Sequence, residues 1–293
     1  QCVLHLPRDL NEVYHRRLQD LKLLDMAKSF NGHHGGHGGQ SEVETHKHFA
    51  CLYANSASRV QCVVLNPHAV FDDISHDLLL TLSSHRIALL DIPCGSGAGG
   101  IALITTVKEL RTAGVIPNTP LSVDIFAADY SPSALDLYES QVSLLRPKLA
   151  ESGISVSLHR YPWDATQLQQ TSDLIDDYIA HQANEYLVLM ANFSGEGKSQ
   201  FPKFERSFEH IFVRFSNRRV KVVTILWIEP QGKSGFRHIT KLTQVISKII
   251  GYFSRVDPNM AYLECEYAWF SFIQSKQLKS GVAVHAYKRD NRP

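Results

Sequence analysis

The stretch Leu89-Leu90-Asp91-Ile92-Pro93-Cys94-Gly95-Ser96-Gly97-Ala98-Gly99-Gly100 decides the fold. An apolar run from Ile87 to Ile92, interrupted at Asp91, enters a glycine-rich turn. An apolar, helix-compatible run from Ile101 to Leu110 follows. The pattern predicts strand, tight turn and helix. Gly95, Gly97 and Gly99 permit positive φ angles and let backbone approach a ligand with no Cβ in the way. The turn also aims the unpaired N–H groups of the helix start at whatever is bound there. Taken alone, such a turn can equally serve only to pack strand on helix, so its neighbours carry the decision.

Toward the C-terminus the alternation of strand and helix continues. A strand over 121–128 runs into Asp129-Tyr130-Ser131-Pro132, where Ser131 suits an N-cap and Pro132 a first helical turn. The helix spans 132–151 and Gly153 closes it. A strand over 154–159 leads to Trp163-Asp164-Ala165, a helix covers 170–183, and a strand over 186–191 ends at Asn192. Phe201, Phe204, Phe208, Phe212 and Phe215 recur at helical spacing, an aromatic stripe for packing on a sheet. A strand over 221–228 ends in Glu229-Pro230 and a helix follows to Gly251. Strands over 262–273 and 282–288, joined by a turn near Ser280-Gly281, are close enough in sequence to be antiparallel. The expectation is an α/β fold with a doubly wound, mostly parallel, seven-stranded sheet ending in an antiparallel hairpin, over residues 83–293.

Toward the N-terminus, residues 1–82 read as a helical extension that caps this domain. Residues 1–30 are amphipathic and expected to be helical. Residues 31–40, with five glycines in ten positions, read as a mobile loop. Its His33, His34 and His37, even with His46 and His48, make a poor metal site without Asp or Cys nearby, so no metal is expected. Two short helices are expected before a break at Asn66-Pro67, then a helix over Asp72 to Leu82.

The bulk properties narrow the classes. A net charge of +1 gives no global field for nucleic acid or membrane. No apolar run is long enough for a transmembrane helix and no secretory signal is visible, although a first residue of Gln leaves room for trimming. Five cysteines, an odd number without CxxC spacing, argue against a disulfide framework or zinc ribbon and for a reducing compartment such as the cytoplasm.

In an open α/β sheet, ligands bind outside the carboxyl ends of the strands. Here those ends carry the glycine turn, Asp129, Asp164, Asn192 and Glu229. Asp129 can accept both hydroxyls of a ribose and also favours the helix start it precedes. Asp164 can accept from an adenine amine, with Trp163 walling the base.

DIPCGSGAGG, AADYSPSAL and PWDAT together resemble the class I S-adenosylmethionine-dependent methyltransferases, over about residues 85–290. The resemblance implies a seven-stranded sheet with a terminal reversed hairpin and S-adenosylmethionine as cofactor. It implies a cofactor site drawn from Asp91, Pro93, Cys94, Gly95, Gly97, Asp129, Tyr130, Ser131, Trp163, Asp164, Ala165 and Asn192. Cys94 stands where a small residue is usual and is expected to be packed rather than nucleophilic. Asn192-Phe193 falls where amine-methylating relatives carry Asn/Asp-Pro-Pro-aromatic, but both prolines are missing. The basic run Lys198, Lys203, Arg206, Arg214, Arg218, Arg219 and Lys221 is expected to be a solvated helix face rather than a nucleic-acid patch.

Methyl transfer asks mainly for alignment, and a base only where the acceptor must lose a proton. Asn192, Glu229 and Tyr53 are the catalytic candidates, with His46 and His48 as further bases. Tyr53 and Arg59 are expected at a surface or rim. The acceptor stays open among small molecule, protein and nucleic acid. A catalytically silent subunit of the same fold, binding cofactor weakly or not at all and acting as an interaction module in a larger assembly, is the alternative. A nicotinamide-dependent oxidoreductase is disfavoured by the Asp-Tyr-Ser-Pro run, Asp164 and the terminal hairpin.

Overall fold

The computed structural model describes residues 2–32, 39, 41–193, 201–215, 222–231 and 263–290. The N-terminal part contains β1 (Val3–His5), α1 (Arg8–Asp20), α2 (Leu24–Ser29), α3 (Glu42–Leu65) and α4 (Asp72–Leu82). The alternation then gives β2 (Arg86–Asp91), α5 (Ala98–Thr112), β3 (Leu121–Asp129), α6 (Pro132–Ala150), β4 (Ile154–Pro162), α7 (Leu168–Ala180) and β5 (Glu185–Ala191). It ends with α8 (Phe201–Phe215), β6 (Val222–Pro230), β7 (Leu263–Ser271) and β8 (Lys276–Asp290).

The strands form one sheet in the order β1-β7-β8-β6-β5-β2-β3-β4. β8 runs antiparallel to β6 and β7, and every other pair is parallel. The chain winds outward from β2 through β3 and β4, then returns to β5 and β6 on the other side. The order therefore reverses between β2 and β5, which opens a crevice at their carboxyl ends.

Side-chain alternation sorts the strands onto two faces. Ile87, Leu89, Leu187, Leu189, Leu226 and Ile228 join one core with residues of α1, α3, α4, α5 and α6. Ala88, Leu90, Val188, Met190, Ile225 and Trp227 join a second core with α7 and α8. The expected aromatic stripe belongs to this second core, with Phe208, Phe212 and Phe215 buried and Phe204 packed at its edge. Burial on both faces explains the near-continuous apolar strands.

The first thirty residues are not wholly helical. Val3–His5 is an eighth strand, parallel to β7, with Leu4 buried and the His5 ring stacked 5.4 Å from Phe270. Three residues carry no period, so this strand owes its form to a tertiary partner. α1 then docks by charge: Lys108 and Lys148 both reach the Asp9 carboxylate, at 2.5 and 3.2 Å. Burial pushes the Asp9 pKa upward, and the two lysines outweigh it and hold it below the usual carboxylate range.

The two short helices expected before Asn66 are the single helix α3. Ser41 caps it by accepting from the Glu44 N–H at 3.2 Å, and left-handed Asn66 ends it. Its interior polar residues misled the periodicity. Ser58 is buried because its hydroxyl bonds back to the Asn55 carbonyl and across to Tyr267, each at 2.8 Å. The final turn also moves. It lies at 272–275, and Ser280 and Gly281 sit inside β8. Gly281 is there because a Cβ would collide with the Gln231 side chain, a close approach rather than a turn. The expected helix to Gly251, the 194–200 segment and His33, His34 and His37 lie outside the described residues.

Candidate functional site

The glycine turn divides its work. Gly97, at φ +84°, and Gly100 are packed: a Cβ on either would overlap the Tyr138 side chain from α6. Gly95, at φ +52°, is open, since a Cβ there would meet nothing within 4 Å. The surface available to a ligand is therefore the face over Gly95. The Ile92–Pro93 peptide is cis. The Cys94 N–H donates to the Ala128 carbonyl at 2.9 Å, tying the turn to the end of β3. The Cys94 thiol is buried, which pushes its pKa well above normal, with Asp129 and Asp91 adding to the effect. It stays protonated and packed.

Asp91 is 1% exposed and faces inward. Its Oδ2 accepts from the Gly100 N–H at 3.1 Å and from the Tyr138 hydroxyl at 3.0 Å. Burial raises its pKa to about 8 despite those two bonds. It braces the turn against α6. Asp129 does the outward work: Oδ2 accepts from the Gly95 N–H at 2.7 Å and Oδ1 from the Ser131 N–H at 2.9 Å. Asp129 thus joins the open Gly95 turn to the start of α6.

The neighbouring candidates separate. Tyr130 is 67% exposed at the rim. Ser131 is turned inward, capping α6 at the Ala134 N–H and pairing with the Thr45 hydroxyl of α3 at 3.1 Å. Trp163 is 3% exposed, its indole N–H donating to Thr171 at 2.9 Å and its ring edge-on to Phe208. The ring expected to stand as a wall is thus part of the second core, because an apolar strand-end Trp with a nearby hydroxyl gains more by burial. Asp164 closes its own turn, with Oδ1 accepting from the Thr166 N–H and hydroxyl at 2.9 and 2.8 Å. Ala165 is buried behind it.

At the ends of β5 and β6 a different group gathers. Asn192 takes the left-handed conformation at φ +61°. Its N–H donates to the Ile228 carbonyl at 2.9 Å, and its Oδ1 accepts from Nη1 of Arg59 at 2.6 Å. Arg59, from α3, also donates through Nε to the Gly281 carbonyl at 3.4 Å. Burial pulls the guanidinium pKa down, opposed by Tyr267 and Glu229 through space. Glu229 is 2% exposed, with Oε1 accepting from the Phe193 N–H at 3.0 Å and the Trp227 indole N–H at 2.8 Å.

Arg59 is the residue the sequence misplaced, being read as a rim residue. The signal is a lone cation in Ala57-Ser58-Arg59-Val60, within the stretch 56–64 of α3 whose other residues are buried. Tyr53 was misplaced too. It is 2% exposed, stacks on Tyr14 at 4.8 Å, and its hydroxyl has no hydrogen-bond partner among the described residues. Burial, then Tyr14 and Asp91, push its pKa well above 10, so it cannot serve as a base near neutral pH.

In the basic run, Lys203 and Arg206 are exposed and Arg214 pairs with Asp176. Lys198, Arg218, Arg219 and Lys221 lie outside the described residues. Among the described residues no group of three or more His, Cys, Asp or Glu could hold a metal, and no helix is long and apolar enough to cross a membrane.

No family model and no curated protein matches the chain. Solved structures similar to it include a possible methylase from Clostridium difficile 630, at 13% identity and TM-score 0.35, over 73% of this chain and 52% of that one. The chain thus spans about half the length of that protein. An antibiotic-related methyltransferase matches at 11% identity and TM-score 0.35, over 74% of this chain and 94% of that one. A Listeria monocytogenes protein classed as a class I S-adenosylmethionine-dependent methyltransferase matches at 12% identity and TM-score 0.29, over 94% and 77%. At these scores the likenesses carry no argument of their own. The strand order does, with its reversal between β2 and β5 and a reversed strand inserted between β6 and β7. The fold is the expected doubly wound, mostly parallel α/β sheet with a terminal antiparallel pair, extended by β1 to eight strands. Within it, Asp129 and Gly95 sit at the switch point and Arg59 and Asn192 beside it.

Proposed function

We propose that this chain is an S-adenosylmethionine-dependent methyltransferase that binds its cofactor across the ends of β2, β3 and β4. The observation that carries the reading is the Asp129 carboxylate, bonded at 2.7 Å to the N–H of Gly95 beside open backbone. A carboxylate there can take a ribose diol, and the bare Gly95 lets a methionine tail pass against the chain. Asp164 and Ala165 border the place left for the base. S-adenosylmethionine supplies a methyl group already activated on a sulfonium, so the chain's own work is alignment and exclusion of water. In this reading residues 1–82 are the cap that shapes the acceptor pocket, with α3 reaching the strand ends through Thr45 and Arg59. Five free thiols suit a reducing compartment.

Calorimetric titration of the full chain with S-adenosylhomocysteine, and separately with NAD, tests this. Micromolar binding of the first is expected, weakened about tenfold or more in Asp129→Asn, because a charged acceptor of two hydroxyls is lost. A folded protein silent toward S-adenosylhomocysteine, or one that prefers NAD, would sink the reading.

A further inference from the structure

The ends of β5 and β6 offer hydrogen-bond donors where an amine acceptor would need an oxygen. A guanidinium can only donate, so the Asn192 atom facing Arg59 is its oxygen, and the amide NH2 faces away. Among the described residues neither Nδ2 of Asn192 nor Nη2 of Arg59 has a partner, and no carboxylate lies within ion-pair distance of Arg59. A half-buried cation without a contacting counter-ion is costly to keep unless a ligand completes it.

Of the candidate bases, Tyr53 and Glu229 are withdrawn, and His46 and His48 lie on α3 about three turns or more before Arg59. Tyr53 and Cys94 are held protonated by burial. Glu229 is buried with one oxygen shared between two donors. An acceptor that must first lose a proton finds no exposed group among these to take it. One that arrives as an anion at neutral pH needs none. Phenols and amines are mostly protonated there, whereas a carboxylic acid is ionised.

We infer that the methyl acceptor is a carboxylate, held by Nη2 of Arg59 and Nδ2 of Asn192. This rests on the methyl-transfer reading above. Arg59 and Asn192 bind one carboxylate oxygen and leave the other with an uncommitted lone pair. That oxygen forms its bond to the methyl carbon as the carbon–sulfur bond breaks, and the released pair stays on sulfur. Anion and sulfonium become a neutral methyl ester and a neutral thioether, with no proton to remove. The inference reverses the role expected of Asn192: it donates to the acceptor through nitrogen rather than accepting from it through oxygen.

The test is a binding measurement on the full chain, with and without S-adenosylhomocysteine. The probes are small aromatic and aliphatic carboxylates, each paired with its amide and its amine: benzoate, benzamide and benzylamine; phenylacetate and butyrate with theirs. At least one carboxylate is expected to bind about tenfold or more tighter than its amide and amine, the scale of a charged hydrogen bond. Asn192→Asp separates recognition from scaffolding. It sets a carboxylate against Arg59, which keeps or raises the melting temperature, and it should abolish the carboxylate preference. Arg59→Gln should abolish it too. The proposal is overturned if no carboxylate outbinds its amide, if an amine is preferred, or if Asn192→Asp leaves the preference intact. S-adenosylhomocysteine affinity is read in the same titrations. Its absence in the wild type would defeat the methyl-transfer reading instead, whatever the carboxylates do.

Discussion

At the ends of β2, β3 and β4, polar groups bond within their own turn or the one next door: Asp91 to Gly100, Asp129 to Gly95 and Ser131, Asp164 to Thr166. At the end of β5, Asn192 is held by Arg59, 133 positions earlier in the chain. The first half of the crevice is built by local geometry that glycines and carboxylates dictate wherever they occur. The second half exists only once α3 has been laid across the sheet. A chain can therefore keep the first half while the second drifts, and on the proposed function cofactor affinity and acceptor choice would be separable properties.

The largest expected effect falls inside the local half. Gly97→Ala should cost about 3 kcal/mol in denaturant unfolding, since it combines a collision with Tyr138 and a left-handed conformation. Gly95→Ala carries only the conformational strain and should cost about 1 kcal/mol. Equal costs at the two positions would mean that the face over Gly95 is packed rather than open.

A smaller effect per step reads the proton on Asp91. Its pKa is about 8 in the folded chain and near 4 when unfolded. Between those values the folded state holds a proton that the unfolded state has released, so stability falls as pH rises, by about 1.4 kcal/mol for each pH unit. Asp91→Asn keeps an oxygen for Gly100 and Tyr138 and should flatten that slope. A slope unchanged by the substitution would place the proton elsewhere.

The smallest effect probes the boundary between the halves. Arg59→Met should change stability by about 1 kcal/mol, because the lost bond to Asn192 is offset by removing a half-buried charge. S-adenosylhomocysteine affinity should stay within about threefold, well short of a 1.4 kcal/mol change. A drop as large as that in Asp129→Asn would show the two halves to be one.

The same division sets what the sequence could reveal. Strand, glycine turn and helix at 87–112, the Ser131 cap and the Asp129 strand end follow from neighbours in sequence, and the structure has them within a residue or two. β1 was hidden because three residues show no period. α3 reads as two helices in the sequence because Ser58, polar in its interior, is buried against a Tyr267 hydroxyl that only folding brings near. Gly281 looked like a turn because the Gln231 side chain it makes room for is distant in sequence. Arg59 looked peripheral for the same reason, since the strand ends it serves lie far along the chain. Trp163 was assigned to a wall because nothing in the sequence shows Thr171 and Phe208 closing around it.

β1 carries a further consequence. Val3 pairs with Ala268 and His5 with Phe270, so the strand that seals one edge of the sheet joins residues 265 positions apart. During synthesis residues 3–5 leave the ribosome well before their partner strand is made. Loop closure over that length makes β1 a late arrival in folding, whatever the order of the strands between. Until it docks, the β7 edge stands bare, and a second chain at the same stage presents an identical bare edge and an identical unplaced strand. Exchange of β1 between two such chains would satisfy both, so the edge that completes the monomer is also where two chains would entangle.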